Sequence, residues 1–215
     1  MKYYLFSTIE FEIPDPVTLI ECYCYQSDFY YKYDVIENRK IEDVNKIGAR
    51  LNSKTISEYK PIVEAAKKIE IFQKTLEQFL DLHELEREKL IKELNKEVFQ
   101  KLFKINGIGF STATKILHTI YPEIIPMIDT PLQRKYKKEI NYSWTYKNAD
   151  EILIDFYNNL KIDDNRKNLN ELSAELTKNN IKHLTRIRVF DILWWSYLKA
   201  ERLKNKRKIN WTSIL

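Results

Sequence analysis

Glycine is scarce in this chain, with three residues in 215, and proline is little commoner at six. An ordinary β-sandwich uses both freely at its turns, so that architecture is excluded, and long charged amphipathic stretches point to helices instead. Cysteine is limited to Cys22 and Cys24. Two thiols cannot ligate a four-cysteine iron–sulfur cluster, and residues two apart make a poor disulfide, so both are read as reduced thiols. His83, His118 and His183 are scattered, and no cluster has metal-ligand spacing, so no metal and no cofactor is expected. There is no Walker A loop, dinucleotide fingerprint or G-x-S-x-G elbow. No apolar run approaches a membrane span and no signal peptide opens the chain, so no membrane partner and a cytoplasmic location are expected. The formal charge of +5 permits nucleic-acid binding without requiring it.

What is present reads as a mainly α protein, a single helical domain over 1–215, with a short β element at Lys2 to Ile13. Val17 to Tyr33 is tyrosine-rich and could be helix or strand. Tyr23, Tyr25, Tyr30, Tyr31 and Tyr33 are read as packing the ends of the chain, with stacking on bases the alternative. Ile41 begins a helix towards Leu51, which Asn52 to Thr55 breaks. Further helices are expected from Pro61 to about Leu82, over Leu85 to Leu94, and over Val98 to Lys104. Beyond the centre of the chain come a basic cluster (Lys135, Lys137, Lys138) and a helix from Glu151 to Leu160, capped by Asn148 or Asp150. A polar loop over Lys161 to Asn170, a short helix over Glu171 to Thr177 and a long helix over His183 to Lys208 follow. On that last helix Asp191 is read as ion-paired with Arg188 or Arg186, beside Trp194 and Trp195.

Chemistry concentrates at 98–138. Leu102, Phe103 and Ile105 lead into Asn106-Gly107-Ile108-Gly109, and Ala113, Ile116, Leu117 and Ile120 then recur at helical spacing until Pro122. Glycine tolerates positive φ, so this turn joins two helices tightly, with bare N–H groups at the start of the second. Those donors and the helix dipole favour an anion such as phosphate. The arrangement is a helix-hairpin-helix element. Pro126-Met127-Ile128 then carries the chain into Asp129, and Thr130-Pro131 restarts a helix that includes Arg134.

The stretch Ile105-Asn106-Gly107-Ile108-Gly109-Phe110-Ser111-Thr112-Ala113 resembles the hairpin of the helix-hairpin-helix DNA glycosylase superfamily, the endonuclease III and adenine glycosylase type. Ile128-Asp129-Thr130-Pro131-Leu132-Gln133-Arg134 matches that family's V-D-T-x-x-x-R segment, and the 18-residue step from Ser111 to Asp129 matches its spacing. The resemblance covers about 33 residues strongly. It implies a glycosylase-like helical fold, duplex DNA as partner, and backbone phosphate held by Gly107, Ile108, Gly109, Ser111, Thr112 and Ala113. It makes Asp129 the catalytic carboxylate beside the sugar. Taken locally, Asp129 before Thr-Pro is a helix N-cap, and one residue can do both. Bifunctional members carry a lysine where this chain has Ser111, so the implied enzyme is monofunctional. Lys104, Arg134 and Asn52 are possible accessory residues, Asn52 lying where the family inserts a side chain into the duplex. Lys115 is expected to point along its helix to solvent. The rival expectation is a helix-hairpin-helix DNA-binding protein without catalysis.

Overall fold

The computed structural model describes residues 1–5, 9–26, 40–139, 149–181 and 183–204. The chain opens with an antiparallel hairpin of β1 (Lys2–Leu5) and β2 (Ile9–Glu12), in a register that pairs Lys2 with Glu12 and Leu5 with Ile9. Tyr3 and Leu5 are buried while Lys2 is exposed, the alternation a half-buried strand requires. The expected β element therefore forms as two short strands. The ambiguous tyrosine-rich stretch begins as helix α1 (Pro16–Gln26), with Tyr23 buried; Tyr30, Tyr31 and Tyr33 lie outside the described residues.

The next helices differ from the sequence expectation in their limits. Ile41–Ile47 is a 3₁₀ helix that ends at Gly48, in the left-handed conformation. Helix α2 is Ser53–Ala66, so Asn52 starts a helix where a break was expected: its Oδ1 accepts from the Thr55 N–H at 2.9 Å. Pro61 sits inside α2 and not in a first turn. The helix expected from Pro61 to about Leu82 is not continuous. After α2 come a 3₁₀ turn (Glu70–Gln73) and the short α3 (Leu76–Leu80), capped by Thr75 and Gln78 in a reciprocal box.

Helix α4 (Glu84–Leu94) runs through a wide π turn (Asn95–Phe99) into α5 (Gln100–Leu102). The first arm of the central hairpin is thus the tail of a longer rod. The turn follows, then α6 (Phe110–Ile120) and α7 (Thr130–Glu139). Helix α8 is Ala149–Lys161; Asn148 lies outside the described residues. Helix α9 (Asp163–Lys178) overturns the expected loop at 161–170. Its polar first half is anchored by tertiary bonds: Asn165 donates to Tyr4 O and accepts from Tyr4 N–H, both at 2.7 Å, and Arg166 pairs with Glu77 and Asp81. Helix α10 (Arg186–Lys204) closes the described chain; Lys206, Arg207 and Lys208 lie outside it.

The core centres on α6, α8 and α10. Helix α6 buries Phe110, Ala113, Thr114, Ile116, Leu117, His118 and Thr119, so it is enclosed on most sides and not merely amphipathic. Its buried polar groups bond locally: Thr119 donates to Lys115 O at 2.8 Å, and the His118 Nδ1–H donates to Ile125 O at 2.6 Å. Phe156, Phe190 and Trp194 pack together with ring centroids 5.3 to 5.6 Å apart. No helix of the described residues is long and apolar enough to cross a membrane.

Candidate functional site

The hairpin turn is built as its glycines require. Gly107 has φ +86°, and a Cβ placed there would meet nothing within 4 Å. Gly109 is the N-cap of α6 at φ −96°, with no side-chain cap bond. Phe99 grips both arms of the turn, its ring 5.9 Å from Phe103 and 5.5 Å from Phe110, while Ile108 is buried beneath. The Ala113 N–H is the first of α6 to bond back, to Gly109 O at 2.8 Å. The Ser111 and Thr112 amides precede that first bond, where a helix leaves N–H groups without intrahelical acceptors. Both residues are half-buried, whereas Asn106 and Gly107 are exposed. Ala113 is fully buried, so its side chain serves the core and its place in the grip is backbone alone.

Thr114 ties α6 to the segment that leads into α7. Its hydroxyl donates to Ser111 O at 3.0 Å and accepts from the Ile128 N–H at 3.2 Å, fixing the residue before Asp129. Asp129 is half-buried, and its Oδ1 accepts from the Leu132 N–H at 3.2 Å, so it is the N-cap of α7. It also lines a small pocket of about 50 Å³ that opens to solvent. Capping and access to solvent therefore coexist in one side chain.

The far wall of the pocket comes from α10. The Arg188 guanidinium bridges the Asp191 carboxylate and the Tyr23 hydroxyl, and lies 5.3 Å from the centre of the Tyr23 ring. Arg188 and Asp191 are both nearly buried, as their expected pairing requires, yet both reach the pocket. Trp195 adds an aromatic wall, with the Lys199 ammonium 3.7 Å over its ring. Trp194 is fully buried and belongs to the core.

Lys115 corrects the sequence expectation. It lines this pocket and does not run out to solvent, because α6 is enclosed on most sides. Burial pushes its ammonium below the usual lysine range, with Arg188 and Arg50 acting in the same direction and Asp129 and Asp191 opposing. Its Cα lies one turn, about 6 Å of helix rise, beyond that of Ser111, on the same face.

The accessory candidates separate from the site. Lys104 and Arg134 are exposed and neither lines the pocket. Asn52 is exposed and occupied as the cap of α2. Among the described residues no group of three or more His, Cys, Asp or Glu could hold a metal ion. Sequence reasoning missed Met127, Ile192 and Lys115 as pocket residues, and gave Tyr23 contact with bases only as an alternative to packing. For Lys115 the signal was its four-residue step from Ser111.

Residues 56–198 match the model of a family of unknown function, DUF6308. The chain belongs to that family. The DUF6308 match runs from α2 into α10 and takes in the hairpin, Asp129, Lys115, Arg188, Asp191 and Trp195, leaving Tyr23 outside. No curated protein and no solved structure gives a match.

Proposed function

We propose that this chain is a helix-hairpin-helix DNA-binding protein with a glycosylase-like core, hydrolysing the N-glycosidic bond of a damaged or modified base. One observation carries the reading: Asp129 lies on the wall of an open pocket that begins one turn of α6 beyond the Ser111 amide. In this account the amides of the hairpin and of Ser111 and Thr112 hold a backbone phosphate against the positive end of α6, setting position without reading sequence. The nucleotide beside that phosphate leaves the stack, and its base enters between Trp195 and Tyr23. Breaking the glycosidic bond leaves positive charge on the sugar, which the Asp129 carboxylate stabilises while orienting the attacking water. The Leu132 N–H keeps that carboxylate aimed. Serine at 111 cannot form a Schiff base, which fits a monofunctional enzyme.

The test uses duplexes bearing uracil, alkylated, oxidised or mismatched bases, treated with alkali to reveal abasic sites. Base release by the wild-type protein should fall about 10²–10³-fold in Asp129→Asn, with duplex binding retained. Equal release by the two proteins removes Asp129 from the mechanism. The capping bond of Asp129 favours a second reading, in which the carboxylate is structural and the protein binds DNA without catalysis. Steeply salt-dependent binding with no base release from any duplex supports that alternative.

A further inference from the structure

The chain between Ile47 and Asn52 turns twice into the left-handed region, at Gly48 with φ +76° and at Arg50 with φ +56°. Glycine enters that region freely and asparagine readily, which accounts for Gly48, Gly107 and, at φ +64°, Asn180. Arginine carries a Cβ that opposes it, so Arg50 is the exception among the described residues. Its conformation is imposed from the next residue. The Asn45 side-chain amide donates to Leu51 O at 2.6 Å, and the Asn45 Oδ1 accepts from the Leu51 N–H at 2.7 Å. Leu51 in turn packs against the core. A costly backbone kept in place by its surroundings is characteristic of ligand clamps.

Arg50 is exposed, and no carboxylate pairs with it among the described residues. The 3₁₀ helix before it packs on α6, and its charge reaches Lys115 in the Asp129 pocket. Ser111 and Lys115 share a face of α6, so Arg50 borders the face that runs from the hairpin to the pocket. We propose that Arg50 is a second backbone-phosphate ligand, its guanidinium pairing with the phosphate next to the one held by the hairpin amides. The two grips then bracket the nucleotide whose sugar faces Asp129. This contact presupposes the DNA-binding reading above and adds to it a residue that no motif marks. Arginine is always charged, and its planar fork pairs with two phosphate oxygens at once. Such a contact reads no base, so it serves damaged and undamaged duplex alike.

The test is fluorescence anisotropy with a labelled duplex carrying a stable abasic analogue and with its undamaged counterpart, over about 50–300 mM potassium chloride. Arg50→Gly should bind both duplexes about tenfold more weakly. The slope of log K against log salt should flatten by about 0.9, the loss of one phosphate contact. Arg50→Lys, which keeps the charge, should keep the slope. Thermal denaturation separates this from a structural role: Arg50→Gly should melt no lower than wild type, because glycine relieves the left-handed backbone. Unchanged affinity and slope in Arg50→Gly overturn the proposal and leave the DNA-binding reading standing. Weaker binding with a lowered Tm and an unchanged slope assigns Arg50 to the fold and also overturns it. Wild type that binds neither duplex overturns both. Should Arg50→Gly not fold, Arg50→Asn, which tolerates the same backbone, takes its place in the binding assay.

Discussion

Gly107→Ala tests how the hairpin is built, and here the sign of the effect is the informative quantity. At most positions replacing glycine by alanine stabilises a protein by about 0.4–1 kcal/mol, because the unfolded chain loses freedom. At φ +86° the added Cβ instead makes the left-handed backbone costly, by about 1–2 kcal/mol. Nothing lies within 4 Å of where that Cβ would stand, so no clash contributes and the backbone effect is isolated. The net expectation is a loss of about 1 kcal/mol, or about 2–4 °C in Tm for a chain of this size. Asparagine enters the left-handed region more readily, so Gly107→Asn should lose less than Gly107→Ala. Urea denaturation of the three proteins, monitored by circular dichroism, gives the comparison. A higher midpoint for Gly107→Ala than for the wild type refutes the turn described here.

Other perturbations address the pocket wall and the surface clasp. Asp191→Ala strands the Arg188 guanidinium in a buried setting and should cost about 3–5 kcal/mol in denaturant midpoints. The double change Arg188→Met with Asp191→Leu should recover much of that loss. Glu77 joins α3 to α9 and α10 through Arg166 and Arg186. Burial raises its pKa, and hydrogen bonds from the two arginines outweigh that and hold the carboxyl below the usual range. A depressed carboxyl stabilises the fold above its unfolded pKa of about 4.3. That stabilisation is lost as pH falls through the folded value. Wild type should therefore exceed Glu77→Gln by about 1 kcal/mol at pH 7, a value reduced for partial exposure, and the two should converge in acid. A gap that persists at low pH assigns the difference to packing.

The parts legible in the sequence were those with local causes. The hairpin was readable because Gly107 and Gly109 bracket a turn whose flanking apolar residues change period, and Asp129 because a cap before Thr-Pro has few readings. Helix α9 was not, since seven of its first eight residues, from Asp163 to Asn170, are polar or charged and only Leu169 marks the buried face. What holds that half in place is remote: Asn165 with Tyr4, and Arg166 with Glu77 and Asp81. Pro61 misled for a related reason, because a proline-led first turn is a sound local rule and the helix had already been started by Asn52. The pocket was half-legible. Asp129 was raised by the family resemblance and Asp191 was expected to pair with Arg188 or Arg186, of which the fold selects Arg188, but Lys115 turns inward because α6 is covered by neighbours on most sides, and only the assembled fold shows that.

The central claim is that the hairpin amides and the Asp129 pocket act on the same nucleotide. The most direct measurement is a crystal structure of the Asp129→Asn protein bound to a duplex carrying a stable abasic analogue. The account predicts a backbone phosphate within hydrogen-bond distance of the amides between Gly107 and Thr112, and the neighbouring sugar in the pocket beside residue 129. Duplex seated on another face, or a phosphate at the turn with its sugar directed away from the pocket, would contradict it.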